Sequence, residues 1–168
     1  IAETGKKILS FIETEKESEI EADMQVLINI INQYKNNWDN EHFVASNHQI
    51  VIDIKRTARK HMNSYLKKVT ADLEKKEYLI PKSKVVGTLA NFQKKFQYYR
   101  LSLYIFSMAS FVEIMLSGNF KEKFIEESIS EIEKLSLEYR SVFGECSHYL
   151  EKIASCTLEG NVLKGIGH

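Results

Sequence analysis

The sequence has few residues that interrupt long helices. Its 168 residues include one proline and seven glycines, the two residue types least favourable inside a helix. It also lacks the Gly-rich phosphate loop, the His-Glu-x-x-His zinc motif and the Gly-x-Ser-x-Gly nucleophile turn. These absences favour an all-α fold, and we expect neither an enzyme nor a bound cofactor.

Cysteine is also scarce, which excludes a disulfide framework. Cys146 and Cys156 belong to one predicted helix and lie about 15 Å apart along its axis, too far for a mutual disulfide. Two free thiols favour a reducing compartment such as the cytoplasm, although nothing else in the sequence indicates a localisation. Because the chain begins at Ile1 and ends at His168 without a terminating pattern, we expect a domain cut from a longer protein.

The sequence has no net charge, because 23 basic and 23 acidic residues cancel. This balance argues against a dedicated nucleic-acid binder. The charges are unevenly distributed, since residues 1–45 hold 4 basic and 9 acidic residues whereas residues 46–84 hold 10 and 4. Four basic residues of the second predicted helix are expected on one face, as a candidate contact for phosphate or anionic lipid or else a solvated surface. They are Arg56, Arg59, Lys60 and Lys67.

Apolar residues recur with helical periodicity in four long segments. The first ends near Trp38, which is expected to close the end of the core, and is interrupted by polar residues around Glu15. The second is predicted to begin at Ser46, which has capping-box spacing, and to end before Pro81. The third is predicted to stop at Gly118. These punctuation signals divide the chain into four helices.

The four segments are similar in length and joined by short connections. Each spans roughly 32 to 38 residues, or about 50 Å as a helix. Short turns favour antiparallel neighbours, so we predict an elongated up-down-up-down bundle of four long helices, with an extra N-terminal helical segment as an alternative. One domain is expected to cover residues 1–160, followed by a flexible tail over 161–168. In the fourth helix, Ile129, Phe143 and Cys146 belong to an a/d pattern expected to face the core.

One Glu-x-x-His unit suggests a di-metal site, but the sequence does not complete it. Glu145 and His148 form this unit, whereas ferritin-like bundles use two copies. His148 is also predicted to face away from the core. We therefore expect no metal site. His61 lies beside the apolar face of the second helix and is expected to be packed there instead of acting as a general base.

Residues 101–116 are apolar around the whole helix and carry one formal charge, Glu113. A first stripe of the third helix is expected to face the core; its members are Val85, Leu89, Phe92, Phe96, Tyr99, Leu103 and Ile114. A second stripe lies roughly 140° to 180° away, where a four-helix bundle supplies no neighbour. It comprises Leu101, Ile105, Met108, Val112 and Leu116. The second stripe is therefore the predicted interaction face.

Several partners would cover this face. One is a second copy of the chain or another protein, one is lipid, and one is the N-terminal segment around Ile8, Phe11 and Ile12. The arrangement of long helices around an unusually apolar one resembles helical pore-forming toxins in architecture, without a match of individual residues. We thus predict a non-catalytic interaction or assembly module that binds a protein partner or itself, with a membrane-active bundle as the alternative.

Overall fold

Four long helices make up the fold. The computed structural model describes the backbone of residues 2–166 and the side chains of residues 16–156. The helices are α1 (Ala2–Asn37), α2 (Glu41–Lys75), α3 (Lys82–Ser117) and α4 (Glu122–Ile166). Within the described residues there is no strand. The prediction of an all-α bundle of four long helices is confirmed.

The outer helices are longer than the sequence predicted. α1 is one continuous helix from Ala2, so a separate N-terminal helical segment and a break near Glu15 are not present. α4 continues to Ile166 and includes most of the residues predicted as a tail. The periodicity analysis missed these extensions because it relied on apolar residues, and polar or glycine-bearing stretches remain helical when they continue an established helix.

The first turn differs from the prediction. Asn40 caps α2, and its side-chain oxygen accepts a hydrogen bond from the backbone N–H of Phe43 at 3.1 Å. Ser46 lies inside the helix and donates its hydroxyl to the carbonyl of His42 at 2.7 Å, a bond typical of a mid-helix serine. Trp38 stands in the turn with 65% of its surface exposed. It does not close the core, because the chain leaves α1 one residue earlier.

The other two turns follow the predicted signals. α2 ends at Lys75, and Lys76 adopts a left-handed conformation with φ 52° while donating its N–H to the carbonyl of Leu73. Pro81 directly precedes α3, as its restriction on the preceding residue favours. Gly118 ends α3 with φ 63°, a conformation in which glycine has no steric penalty. All three connections are short.

α2 and α3 form the central antiparallel pair. α1 packs against both of them, and α4 packs against α3 and to a smaller extent against α2. No Cα atoms of α1 and α4 lie within 8 Å of each other in the described chain. The bundle is therefore closed around α2 but open on the side of α3 between α1 and α4.

The core consists of two clusters. The larger one joins α1, α2 and α3 with Leu135 of α4, and the smaller one lies near the α2–α3 turn around Phe92, Tyr149 and Ile153. The a/d prediction for α4 is wrong at Phe143, which is 52% exposed, and at Ile129, which is also exposed. An a/d pattern assumes neighbours on both sides, whereas α1 does not reach α4.

Candidate functional site

The second stripe of α3, predicted as the interaction face, lies inside the protein. Ile105 is 1% exposed, and Val112 and Leu116 are also buried. Leu101 and Met108 are partly buried and pack against the same core cluster. The prediction of an uncovered apolar face at these five positions is therefore wrong.

Residues of α1 belong to the cluster that covers this stripe. Ile20, Leu27 and Ile30 are fully buried in the same cluster as Ile105, so the covering is intramolecular. The residues suggested for this role, Ile8, Phe11 and Ile12, lie outside the described side chains. α3 is apolar on two faces because it is packed between α1 and α4, with α2 across a third side.

The single charge of the apolar run is paired inside the bundle. Nζ of Lys55 on α2 lies 3.0 Å from Oε2 of Glu113, and the two side chains are only 24% and 17% exposed. The same ammonium lies 5.4 Å from the ring centroid of Phe106. A partly buried carboxylate needs such a partner, so Glu113 serves the α2–α3 contact.

An exposed strip on α3 faces the gap between α1 and α4. It contains Gln93, Gln97, Arg100, Tyr104 and Phe111, all exposed, within about 60° of arc at 100° per residue. We call these five residues the open face. Each of the two aromatic residues is 56% exposed. The sequence analysis missed them as site residues, although the signal was available: they are large side chains of α3 that belong to neither stripe.

Contacts on each side of the open face fix its position. On one side, Nζ of Lys94 lies 3.0 Å from Oε2 of Glu17 on α1. On the other side, the ring of Phe96 stacks against Tyr139 of α4 with centroids 5.5 Å apart. Lys94 and Phe96 are separated by about 160° around α3 across the open face. The open face therefore lies between the two flanking helices without contact to either.

A cleft of about 390 Å³ adjoins the open face between α3 and α4. Phe96 and Phe143 stand on its walls with ring centroids 5.9 Å apart. Gln97 and Arg100 supply polar groups from α3. Cys146 lines the cleft too, but burial, and secondarily the charge of Glu145, raises the pKa of its thiol to about 12. The thiol is therefore protonated near neutral pH and is a poor nucleophile.

The predicted basic face of α2 is only partly exposed. Arg56, Lys60 and Lys67 are exposed, whereas Nη1 of Arg59 is buried and has no hydrogen-bond partner among the described side chains. Arg59 turns towards Tyr99 of α3, where its positive charge opposes the rise in the pKa of that phenol caused mainly by burial. The prediction of four basic residues on one exposed face is wrong for Arg59, because the interhelical space admits its long side chain.

A buried polar contact joins α1 to α2. Nε2 of His61 lies 3.3 Å from Oε2 of Glu19. Burial lowers the pKa of His61, while the charge of Glu19 opposes that effect. One turn further along α1, burial and then the charge of Glu19 raise the pKa of Asp23 from 3.8 to about 6. His61 is packed, as predicted, and this contact titrates near neutral pH.

The predicted metal unit stays separate from other ligands. Glu145 and His148 are both exposed on α4. Among the side chains of residues 16–156, no group of three or more His, Cys, Asp or Glu residues is placed to hold a metal ion. The absence of a metal from the functional protein remains a prediction.

Comparison with models of known protein families, with curated proteins and with solved structures finds no match to this chain. Its function must therefore be argued from the geometry of its own residues. In the part of the chain that the structure describes, α3 is the one helix long and apolar enough to cross a membrane by length and composition alone. Half of its most apolar window is buried inside the bundle, as in the core helix of a soluble protein.

Ile105→Ala should lower the free energy of unfolding by about 2 to 5 kcal/mol, since it leaves a cavity in the core. Ile50→Ala is the matched control, because Ile50 on α2 is 42% exposed, and it should cost about 1 kcal/mol or less. Urea unfolding followed by circular dichroism measures both. Equal costs for the two variants would contradict the burial of the second stripe.

Asp23→Asn should raise the free energy of unfolding by on the order of 1 kcal/mol above about pH 7, a value that allows for solvent screening of a partly exposed carboxyl. The raised pKa of about 6 means that the folded protein holds this proton more tightly than the unfolded chain. Ionisation of Asp23 therefore weakens the fold, and the gain from asparagine should disappear as the pH falls through 6 towards about 4.

Urea unfolding across this pH range measures the gain, with Asp53→Asn on exposed α2 surface as the control. A gain that is independent of pH would show that the Asp23 carboxyl is not responsible.

Proposed function

We propose that the protein is a non-catalytic assembly module whose open face binds a second copy of the same chain. The observation that carries this proposal is the exposure of Tyr104 and Phe111 in the gap between α1 and α4. Aromatic side chains contribute strongly to protein interfaces when they become buried. Here two of them stand on one face of a rigid core helix.

The spacing of the two aromatic residues suits a two-fold contact. Tyr104 and Phe111 are seven residues apart, which is two helical turns or about 10.5 Å. Ser107, a small residue whose hydroxyl bonds to the carbonyl of Leu103 at 2.9 Å, lies between them. A two-fold axis near Ser107 brings Tyr104 of one protomer against the partner's Phe111, and the same contact forms twice.

The charges of this region also favour a contact between identical faces. A two-fold interface places each surface against itself, so a charged face would meet like charge. From Tyr104 to Phe111 the open face has no charged residue, and the nearby Glu113 is paired with Lys55. Covering the exposed parts of four rings contributes a few kcal/mol, since full burial of one large apolar side chain is worth about 1.5 to 3 kcal/mol.

The double variant Tyr104→Lys/Phe111→Lys should convert a dimer into a monomer, because four added charges would meet in the interface. Sedimentation velocity over a range of protein concentrations measures the mass. Val86→Lys/Leu137→Lys, which changes two other exposed apolar residues and adds the same charge, should remain dimeric. Circular dichroism should be the same for all three proteins. A wild-type protein that is monomeric at every concentration would contradict the proposal.

A membrane-active bundle is the second candidate, and the apolar length of α3 supports it. In this function α3 leaves its neighbours and enters lipid. The exposed basic residues of α2, Arg56, Lys60 and Lys67, would make the first contact with anionic headgroups. This route requires the bundle to open, because the packed faces of α3 become the lipid contact.

For this candidate, the wild-type protein should release dye from vesicles of phosphatidylglycerol and phosphatidylcholine, and much less from phosphatidylcholine alone. Arg56→Gln/Lys60→Gln/Lys67→Gln should weaken release, since each basic residue near an anionic surface is worth about 1 kcal/mol. Lys121→Gln/Lys123→Gln/Lys134→Gln, on α4 and the turn before it, removes the same charge as a control. Absence of release from both vesicle types would exclude a membrane-active function.

A further inference from the structure

The cleft between α3 and α4 has the size and composition of a small-molecule site. Its volume of about 390 Å³ lies within the range of roughly 300 to 1,000 Å³ typical of ligand pockets. We propose that this cleft binds a small aromatic carboxylate, with the ring between Phe96 and Phe143 and the carboxylate on Arg100. This site is separate from the dimer contact proposed at Tyr104 and Phe111.

The apolar walls of the cleft define the body of the ligand. Phe92 forms the buried base, and Phe96 and Phe143 stand beside it. Phe143 contacts Phe96 and Tyr139 on one side, with ring centroids 5.9 and 6.3 Å away, yet half of its surface is exposed. A flat ring in the cleft would cover this exposed part and add an aromatic contact of the kind already present there.

The polar groups of the cleft define the charge of the ligand. Arg100 is the one charged residue of the lining, and its guanidinium has no carboxylate partner among the described side chains. Gln93 and Gln97 lie on the same face of α3 and make no side-chain hydrogen bond within the described residues. A planar guanidinium matches a carboxylate through two parallel hydrogen bonds. The free donors therefore favour an anion.

The nearest acidic residue does not occupy this position. Glu145 affects the thiol of Cys146, but its side chain lines a different pocket together with Tyr78 and His148. The lining of the proposed site contains no aspartate or glutamate. A cationic ligand would thus meet Arg100 without compensation, and a neutral ring would leave its guanidinium unused.

Isothermal titration with 3-phenylpropionate, and with its uncharged amide as the matched ligand, tests the proposal. The acid should bind about five- to tenfold more tightly than the amide, as one charge-assisted pair at a partly exposed site provides. Arg100→Gln should remove this difference by weakening only the acid. Arg140→Gln changes an exposed arginine of α4 outside the cleft and should leave both affinities unchanged.

A second variant tests the apolar half of the site. Phe143→Ala should weaken both the acid and the amide by a similar factor, because it removes a wall and not the charge. Since Phe143 and Arg100 are exposed, neither change should unfold the protein, and circular dichroism checks this. No saturable binding of 3-phenylpropionate, or equal affinity of acid and amide in the wild-type protein, would overturn the proposal. Unchanged binding in Tyr104→Lys/Phe111→Lys would show that it stands apart from dimerisation.

Discussion

The antiparallel contact between α2 and α3 is the interaction on which the rest of the structure depends. α1 and α4 both pack on this pair and not on each other, so neither outer helix has another surface on which to bury its apolar residues. The Lys55–Glu113 ion pair fixes the register of the two central helices, because a shift by one turn, about 5.4 Å, would separate the charges. The central pair thereby determines where every other side chain lies.

The helix number and most turns could be predicted because their signals are local. Gly118 and Pro81 act on their own backbone and immediate neighbours, and helical periodicity is a property of one segment. Burial is not local. Ile105 belongs to a face as apolar as the opposite one, and only the position of α1 shows that both are covered. Ser46 misled because a serine hydroxyl satisfies a helix start and a helix interior equally well.

The candidate sites could be predicted even less from sequence. Arg100 and Phe143 are on different helices and meet only because the aromatic residues of α3 and α4 pack together. The open face depends on a contact that does not form, that between α1 and α4. No residue pattern announces a missing contact. Tyr104 and Phe111 became candidates once the positions of both flanking helices were known.

The separation of α1 from α4 also has a consequence for partial unfolding. Either outer helix can detach while the contacts of the other remain intact, so the native state has two independent sub-global openings. Detachment of α1 uncovers the side of α3 that holds Ile105, and detachment of α4 uncovers the side that holds Phe96. The same central helix is thus accessible through two doors, each with its own free energy and its own response to pH, because the titrating Glu19–Asp23–His61 contact belongs to α1 and α2 alone.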